Sequence, residues 1–188
     1  MDKETKRSLI EWHPVSERII VARFKTTIRN IVMDQCYALA AAAVEAEKQE
    51  FYMQLNEILR RQKNRDIVIT GGDLNAKVGQ ENEGLEHIMG KHGLGERNKY
   101  GQLFVYFCAR HDLVISGTIF QHKDCYKVTW ISPDHKTENQ IDHLAIGRQC
   151  RRSLLDVRNK RAADIGSDHH LVVANFKLKI QARKEQNI

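Results

Sequence analysis

The chain has 188 residues, enough for one domain with a proper hydrophobic core, and 41% hydrophobic content with only two prolines excludes a disordered chain. A formal net charge of +6 favours contact with polyanions, although lysines and arginines scattered over the surface would give the same total. No apolar stretch approaches membrane length, residues 1–7 are too charged for a signal peptide, and Cys36, Cys108, Cys125 and Cys150 lack any paired metal spacing; reduced thiols in a nuclear or cytoplasmic setting are expected.

In chain order, residues 1–7 read as a polar tail. Arg18 to Phe24 and Ile28 to Tyr37 read as two strands of a hairpin joined by Lys25-Thr26-Thr27. The clearest predicted helix is Ala40 to Lys63, where Val44, Phe51, Leu55, Ile58 and Leu59 share one face, glutamates lead, and Arg60, Arg61 and Lys63 close it as the helix dipole favours. Ile67 to Thr70 reads as a buried strand, Gly79 to Lys99 as a glycine-rich loop, Leu103 to His111 as a short helix and Leu113 to Ser116 as a strand. Val128 to Ile131, Gln140 to Ile146 and Leu171 to Ile180 complete the strands. The last should be half buried, because Val172, Ala174, Phe176, Leu178 and Ile180 alternate with Val173, Asn175, Lys177 and Lys179. Residues 181–188 read as a second polar tail. Strands mixed with helices suit an α/β sandwich.

Three short motifs carry chemistry. Gly72-Asp73-Leu74-Asn75 follows the apolar run Ile67-Val68-Ile69-Thr70, and Ser167-Asp168-His169-His170 precedes another strand. Between them stands Gln140-Ile141-Asp142-His143, an acid inside a strand pattern. Alternation along a strand puts Asp73 and Asn75 on the same side of a strand end. Taken singly, Gly-Asp-x-Asn is also a turn signal, and Asp142 could simply face water. Ser-Asp would usually cap a helix, yet a strand follows it here. Together, three acids, an amide and a histidine suffice to hold a hard cation, orient a water and steady a phosphate, which points to phosphodiester cleavage. Trp12 and Trp130 read as packing residues, and His170 as a neighbour of the site. The run Arg148, Arg151, Arg152, Arg158, Lys160 and Arg161 suits phosphate contact or a merely solubilising surface, and Lys91 and His92 lie on a loop that either lines a DNA groove or is solvated.

The ordered set Gly72-Asp73-Leu74-Asn75, Val128-Thr129-Trp130, Ile141-Asp142-His143 and Ser167-Asp168-His169 resembles the endonuclease/exonuclease/phosphatase superfamily, its apurinic-endonuclease-like group in particular. Met89 to Glu96, His122-Lys123-Asp124 and Thr129 to Asp134 with Thr137 to His143 are similar to the endonuclease domain of RTE-type (BovB-like) non-LTR retrotransposons and to the craniofacial development protein 2-like, bucentaur-related sequences that incorporate it. The similarity runs from Ser8 to Ile180. It implies a DNase I-like, four-layer α/β sandwich and these roles: Asp73 to position or deprotonate the attacking water, Asn75 to hydrogen-bond the scissile phosphate, His169 to stabilise its charge with Asp142 fixing the ring, Tyr37 to contact phosphate, and Asp168 to help bind Mg²⁺ or Mn²⁺.

The chain also departs from that pattern. The family's first strand, with its Trp-Asn motif, and a later strand ending in a metal-binding glutamate have no counterpart here. Glu11, within Ser8-Leu9-Ile10-Glu11-Trp12-His13-Pro14, has the flanks of a later loop rather than of that ligand strand. Leu39 and Ala40 stand where relatives carry Pro and a polar residue, and Tyr100 replaces another polar one. One sheet should therefore be incomplete at its N-terminal side, and self-association through the exposed edge is among the expected outcomes. Two functions fit: a Mg²⁺-dependent endonuclease-like domain that binds DNA and cleaves it weakly, with any cation weakly held, or a domesticated, inert module that binds nucleic acid or protein.

Overall fold

The alternating segments flanking Lys25-Thr26-Thr27 form antiparallel strands, β2 (Ile19–Phe24) and β3 (Ile31–Tyr37), in a computed structural model that describes residues 2–39, 43–62, 65–161, 163 and 166–178. Ile19, Val21, Val32 and Cys36 turn to one face and are buried there. Two elements precede this hairpin. Lys3–Ser8 forms a short helix, α1, because the Asp2 side chain accepts the Thr5 N–H at 2.7 Å and Glu4 and Lys6 suit its two ends. Leu9–Ser16 forms an edge strand, β1, antiparallel to β2. The segment around Glu11 is thus a strand rather than a loop; its nearly continuous exposure explains why it shows no alternation, and Pro14 is tolerated because the strand is at an edge.

The principal helix, α2, spans Glu45–Arg61 and buries Phe51, Leu55 and Ile58. Val44 is not on its buried face: it is the N-cap and 65% exposed. The expected start at Ala40 to Ala42 and the end at Lys63 lie outside the described residues, as do 179–188. After α2 the chain enters β4 (Ile67–Asp73), parallel to β3. The polar loop then leads into α3 (Lys99–Arg110), four residues longer at its start than its apolar pattern shows. Asn98 sets that start by accepting the Gly101 N–H at 2.7 Å, and a side chain at Gly101 would meet the Lys77 carbonyl.

The remaining strands are β5 (Leu113–Ile115), β6 (Trp130–Ile131), β7 (Glu138–Asn139), β8 (Asp142–Gly147), β9 (Leu154–Lys160) and β10 (Leu171–Phe176). β9 escapes sequence reading because its outward positions, Arg158 and Lys160, dominate a segment in which the inward ones are only Leu154, Val157 and Asn159. The large sheet runs β1-β2-β3-β4-β8-β5, and β10 pairs β9 in a separate sheet. Helices α2 and α3 cover one face of the large sheet, where Leu55, Phe104 and Ile115 are fully buried; each such side chain contributes ~1.5–3 kcal/mol. On the other face a smaller core joins Ile67 and Ile146 to Phe176 of β10. This is an α/β sandwich in which a six-stranded sheet faces a two-stranded one.

One residue opposes the fold. Asp34 sits on the helix-facing side of β3 with no exposed surface; Thr70 Oγ1 donates to its Oδ2 at 3.1 Å, and Oδ1 has no partner. Burial pushes its pKa up from 3.8 to about 6, partly offset by Thr70. A carboxyl harder to ionise when folded costs nothing below its unfolded pKa, and the penalty grows as pH rises through the folded one, reaching ~3 kcal/mol. Asp34→Asn is therefore expected to stabilise the protein by ~1–3 kcal/mol at pH 7.5 and hardly at all at pH 4, read by urea denaturation at both pH values.

Candidate active site

The site forms where β3 and β4 end. Gly72 has φ +133°, and a side chain there would collide with the Cys36 carbonyl, so glycine lets the two strands stay close up to Asp73. Asn75 then adopts left-handed φ 50°, a conformation asparagine tolerates. Its N–H donates to Asp73 Oδ1 at 2.9 Å, and its Nδ2 donates to the Ala38 carbonyl at 3.2 Å. The amide thereby ties the end of β4 to the chain leaving β3.

Antiparallel pairing of β4 with β8 sets Asp142 directly opposite Asp73. The Thr129 hydroxyl accepts the N–H groups of both Ile141 and Asp142 at 3.0 Å, which fixes the start of β8. Next to it the Trp130 segment bridges to His169: the Ile131 N–H donates to the Asp168 carbonyl at 3.0 Å and the His170 N–H to the Thr129 carbonyl at 2.7 Å. This strap lowers the His169 ring between the two acids. Nδ1 lies 3.0 and 3.2 Å from the Asp142 oxygens, and Nε2 lies 4.0 Å from Asp73 Oδ2.

Burial raises the Asp73 pKa; the Asn75 N–H works against it, and Asp142 adds to it. Asp168 is exposed, and its Oδ2 accepts the Trp130 indole N–H at 2.8 Å, which holds its pKa below the ordinary carboxylate value. Tyr37, the last residue of β3, pairs with Asp73 and presents a ring that is 59% exposed. Asp73, Asn75, Asp142 and His169 are thus brought together, with Tyr37 and Asp168 at the rim.

Two further residues carry no local sequence signal. The Arg18 guanidinium stands 5.5 Å from the Tyr37 ring centroid, an approach created only by the β2–β3 register. His143, beside Asp142, is fully buried: its Nε2–H donates to the Ala76 carbonyl at 2.6 Å, and burial lowers its pKa, so it is a neutral tie between β8 and the Asn75 loop. Other expectations separate. Glu11 lies on β1, two strands beyond β3, and faces Arg23 at 3.6 Å. Trp12 is 60% exposed rather than packed. The basic run divides: Arg148 bonds Asp112 at the far end of β8 from Asp142, whereas Lys160 pairs with Leu171 near His169. The Lys91–His92 loop is pinned on the site side, since the His92 N–H donates to the Thr118 carbonyl and the Leu94 N–H to Gln140 Oε1.

Among the described residues no group of three or more His, Cys, Asp or Glu is placed to hold a metal ion. Asp142 is committed to His169 and Asp168 to Trp130, so the donors present do not make a self-sufficient Mg²⁺ site.

No protein-family model matches the chain. It is 34% identical over 181 residues to craniofacial development protein 2 of Bos taurus and 33% identical to that of Tragulus javanicus, in each case over 96% of this chain. The chain is similar to part of craniofacial development protein 2. It spans 30% of the bovine protein's length and 31% of the other's. Solved structures give the same fold. The endonuclease domain of TRAS1, a telomere-specific non-LTR retrotransposon, superposes with a TM-score of 0.65 at 16% identity, covering 96% of this chain and 72% of that one. The 3'-5' exonuclease NExo from Neisseria meningitidis gives 0.65 at 18% identity, covering 90% and 72%. The chain therefore has an endonuclease/exonuclease/phosphatase fold, and no helix among its described residues is long and apolar enough to cross a membrane.

Replacing Trp130 with Phe removes the indole donor. The Asp168 pKa is expected to rise toward 3.8 with the fold retained, as followed by carboxyl carbon NMR titration.

Proposed function

We propose that this domain is endonuclease-like: it binds DNA through phosphate contacts and acts on phosphodiester bonds, slowly on its own. The observation that carries this reading is the His169 ring held between Asp142 and Asp73. An imidazole whose Nδ1 is taken by a carboxylate keeps one orientation and turns Nε2 outward. In the proposed chemistry Nε2 faces a phosphate oxygen and stabilises the charge that develops there. Asp73, whose raised pKa suits a proton acceptor, orients the attacking water and manages its proton. Asn75 and Tyr37 contact the phosphate, with Arg18 as a neighbouring cation. Asp168 would be one ligand of a weakly held Mg²⁺ or Mn²⁺.

DNA as partner is supported by the net charge of +6 and by the fold neighbours, one of which, the 3' phosphatase NExo, was solved bound to a product DNA hairpin. A second reading, an inert nucleic-acid- or protein-binding module, is favoured by the absence of a three-donor cluster among the described residues.

Titration calorimetry with MgCl₂ is expected to show no stoichiometric micromolar site; such a site would restore the fully active enzyme. Plasmid nicking with Mg²⁺ should be weak and lost in EDTA, Asp73→Ala and His169→Ala, each lowering the rate by roughly 10²–10³. Duplex binding by all three proteins should fall steeply with salt, because it depends on lysines and arginines rather than on the reacting groups. If no protein nicks but all bind DNA, the inert nucleic-acid-binding module is correct; if none nicks or binds DNA, the endonuclease-like reading fails and a protein-binding role is the better account.

A further inference from the structure

The connections at the two ends of the large sheet differ in charge. β3 and β4 begin at one end, level with the end of β8 and the start of β5, since Ile31 pairs with Ile67, Ile69 with Ile146 and Gly147 with Leu113. The β2–β3 loop also turns there, because Phe24 pairs with Ile31. Asp73 and Asp142 stand at the other end, about 20 Å away along the seven residues of β4.

Four connections therefore crowd the end remote from the site: 25–30, 62–66, 111–112 and 148–153. Their described residues include Lys25, Arg29, Arg65, Arg148, Arg151 and Arg152, against the acids Asp66 and Asp112. Both acids are matched already, Asp66 by Arg23 at 2.7 Å and Asp112 by Arg148 at 2.6 Å. Arg29 donates to the Arg65 and Asp66 carbonyls, which holds it in place. Arg151 and Arg152 are exposed and have no carboxylate partner among the described residues. At the close of α2, Arg60 and Arg61 share the single acid Glu57. The loop 79–98 on the site side runs the other way, with Glu81, Glu83, Glu86 and Glu96 against Lys91 and Arg97. The formal charge of +6 is thus unevenly placed, and the end away from Asp73 and His169 carries a cationic surplus.

We propose that this end is a second, backbone-directed binding surface for the phosphates of duplex nucleic acid, separate from the candidate active site. At about 4.8 Å per strand, the connections from the β2–β3 loop to β5 spread over roughly 20 Å, a length over which a DNA duplex carries about a dozen phosphates. Arginine predominates among the cations, and its planar fork pairs with phosphate through two parallel hydrogen bonds. None of the exposed aromatic residues, Trp12, Tyr37, Tyr106 and Tyr126, lies in these connections, so they offer no platform on which single-stranded bases stack. Ile28 is the one exposed large apolar side chain among their described residues, which does not make a membrane-inserting face. The length of β4 between the two ends leaves these turns open when a duplex is seated across the site.

The test measures the anisotropy of short labelled DNA and RNA duplexes, and of the matching single strands, over a KCl series in EDTA, where nothing is cleaved. The outcome therefore stands whether or not the candidate site is active. Wild type and His169→Ala are expected to bind duplex alike, and in both the backbone amides of 26–30 and 148–153 should shift in NMR spectra as duplex is added. Arg151→Gln/Arg152→Gln, both exposed positions, should weaken binding roughly tenfold and lower the salt slope by about two, with unchanged circular dichroism. Lys91→Gln/Lys136→Gln removes the same charge from exposed positions at the site end and should weaken binding less than about threefold. The proposal is overturned if the amides of 26–30 and 148–153 stay unshifted, if the two double variants lose affinity equally, if single strands bind as tightly as duplexes, or if phosphatidylserine vesicles bind and duplexes do not.

Discussion

The pairing of the end of β4 with the start of β8 is the constraint on which the site rests. It sets Asp73 and Asp142 face to face, two carboxylates that repel each other and would separate if free to do so. The register holds them, because a shift by one residue would turn buried Thr70 and Ala145 to the opposite face. Into this acidic gap the Trp130 strap lowers His169, whose Nδ1 meets Asp142. Backbone hydrogen bonds between strands thus supply the precision, and the polar side chains occupy positions the sheet has already defined.

The support beneath that arrangement is one-sided. On the helix side, Phe104, Leu55 and Ile115 fill a continuous core with neutral His143 packed 5.5 Å from Phe104, so the Asp73 and Asp142 strands are anchored from below. On the other side, among the described residues, a smaller core around Ile67, Ile146 and Phe176 joins β10 to the sheet. His169 enters the site from the segment just before β10. The acids consequently stand on the more stable layer and the imidazole on the less stable one, an arrangement in which local opening would separate His169 from Asp142 before it disturbed Asp73. Asp34 weakens the stronger layer itself, since a carboxyl with an unpartnered oxygen occupies a position that its neighbours Val32 and Cys36 fill with apolar groups.

Much was legible in the sequence where the signal is local. The β2–β3 hairpin, the buried face of α2 at Phe51, Leu55 and Ile58, the short strand before Asp73 and the alternating β10 all follow from periodicity, because burial on one side imposes a repeat of two or of 3.6 on the residues themselves. The motifs Gly72 to Asn75 and Ser167 to His170 could likewise be singled out, since glycine and paired polar residues at strand ends break that repeat.

What only the tertiary structure decided lies in contacts between segments far apart in the chain. No local pattern shows that Asp142 faces Asp73, that Arg18 reaches Tyr37, or that Asp168 spends an oxygen on Trp130. β1 and β9 escape the repeat because one is exposed along nearly its whole length and the other hides few apolar residues among arginines and lysines. Trp12 shows the limit most clearly. Its chemistry predicts burial, yet whether a covering layer exists over it is a property of strand count and sheet order, which a residue's own neighbours in sequence do not encode.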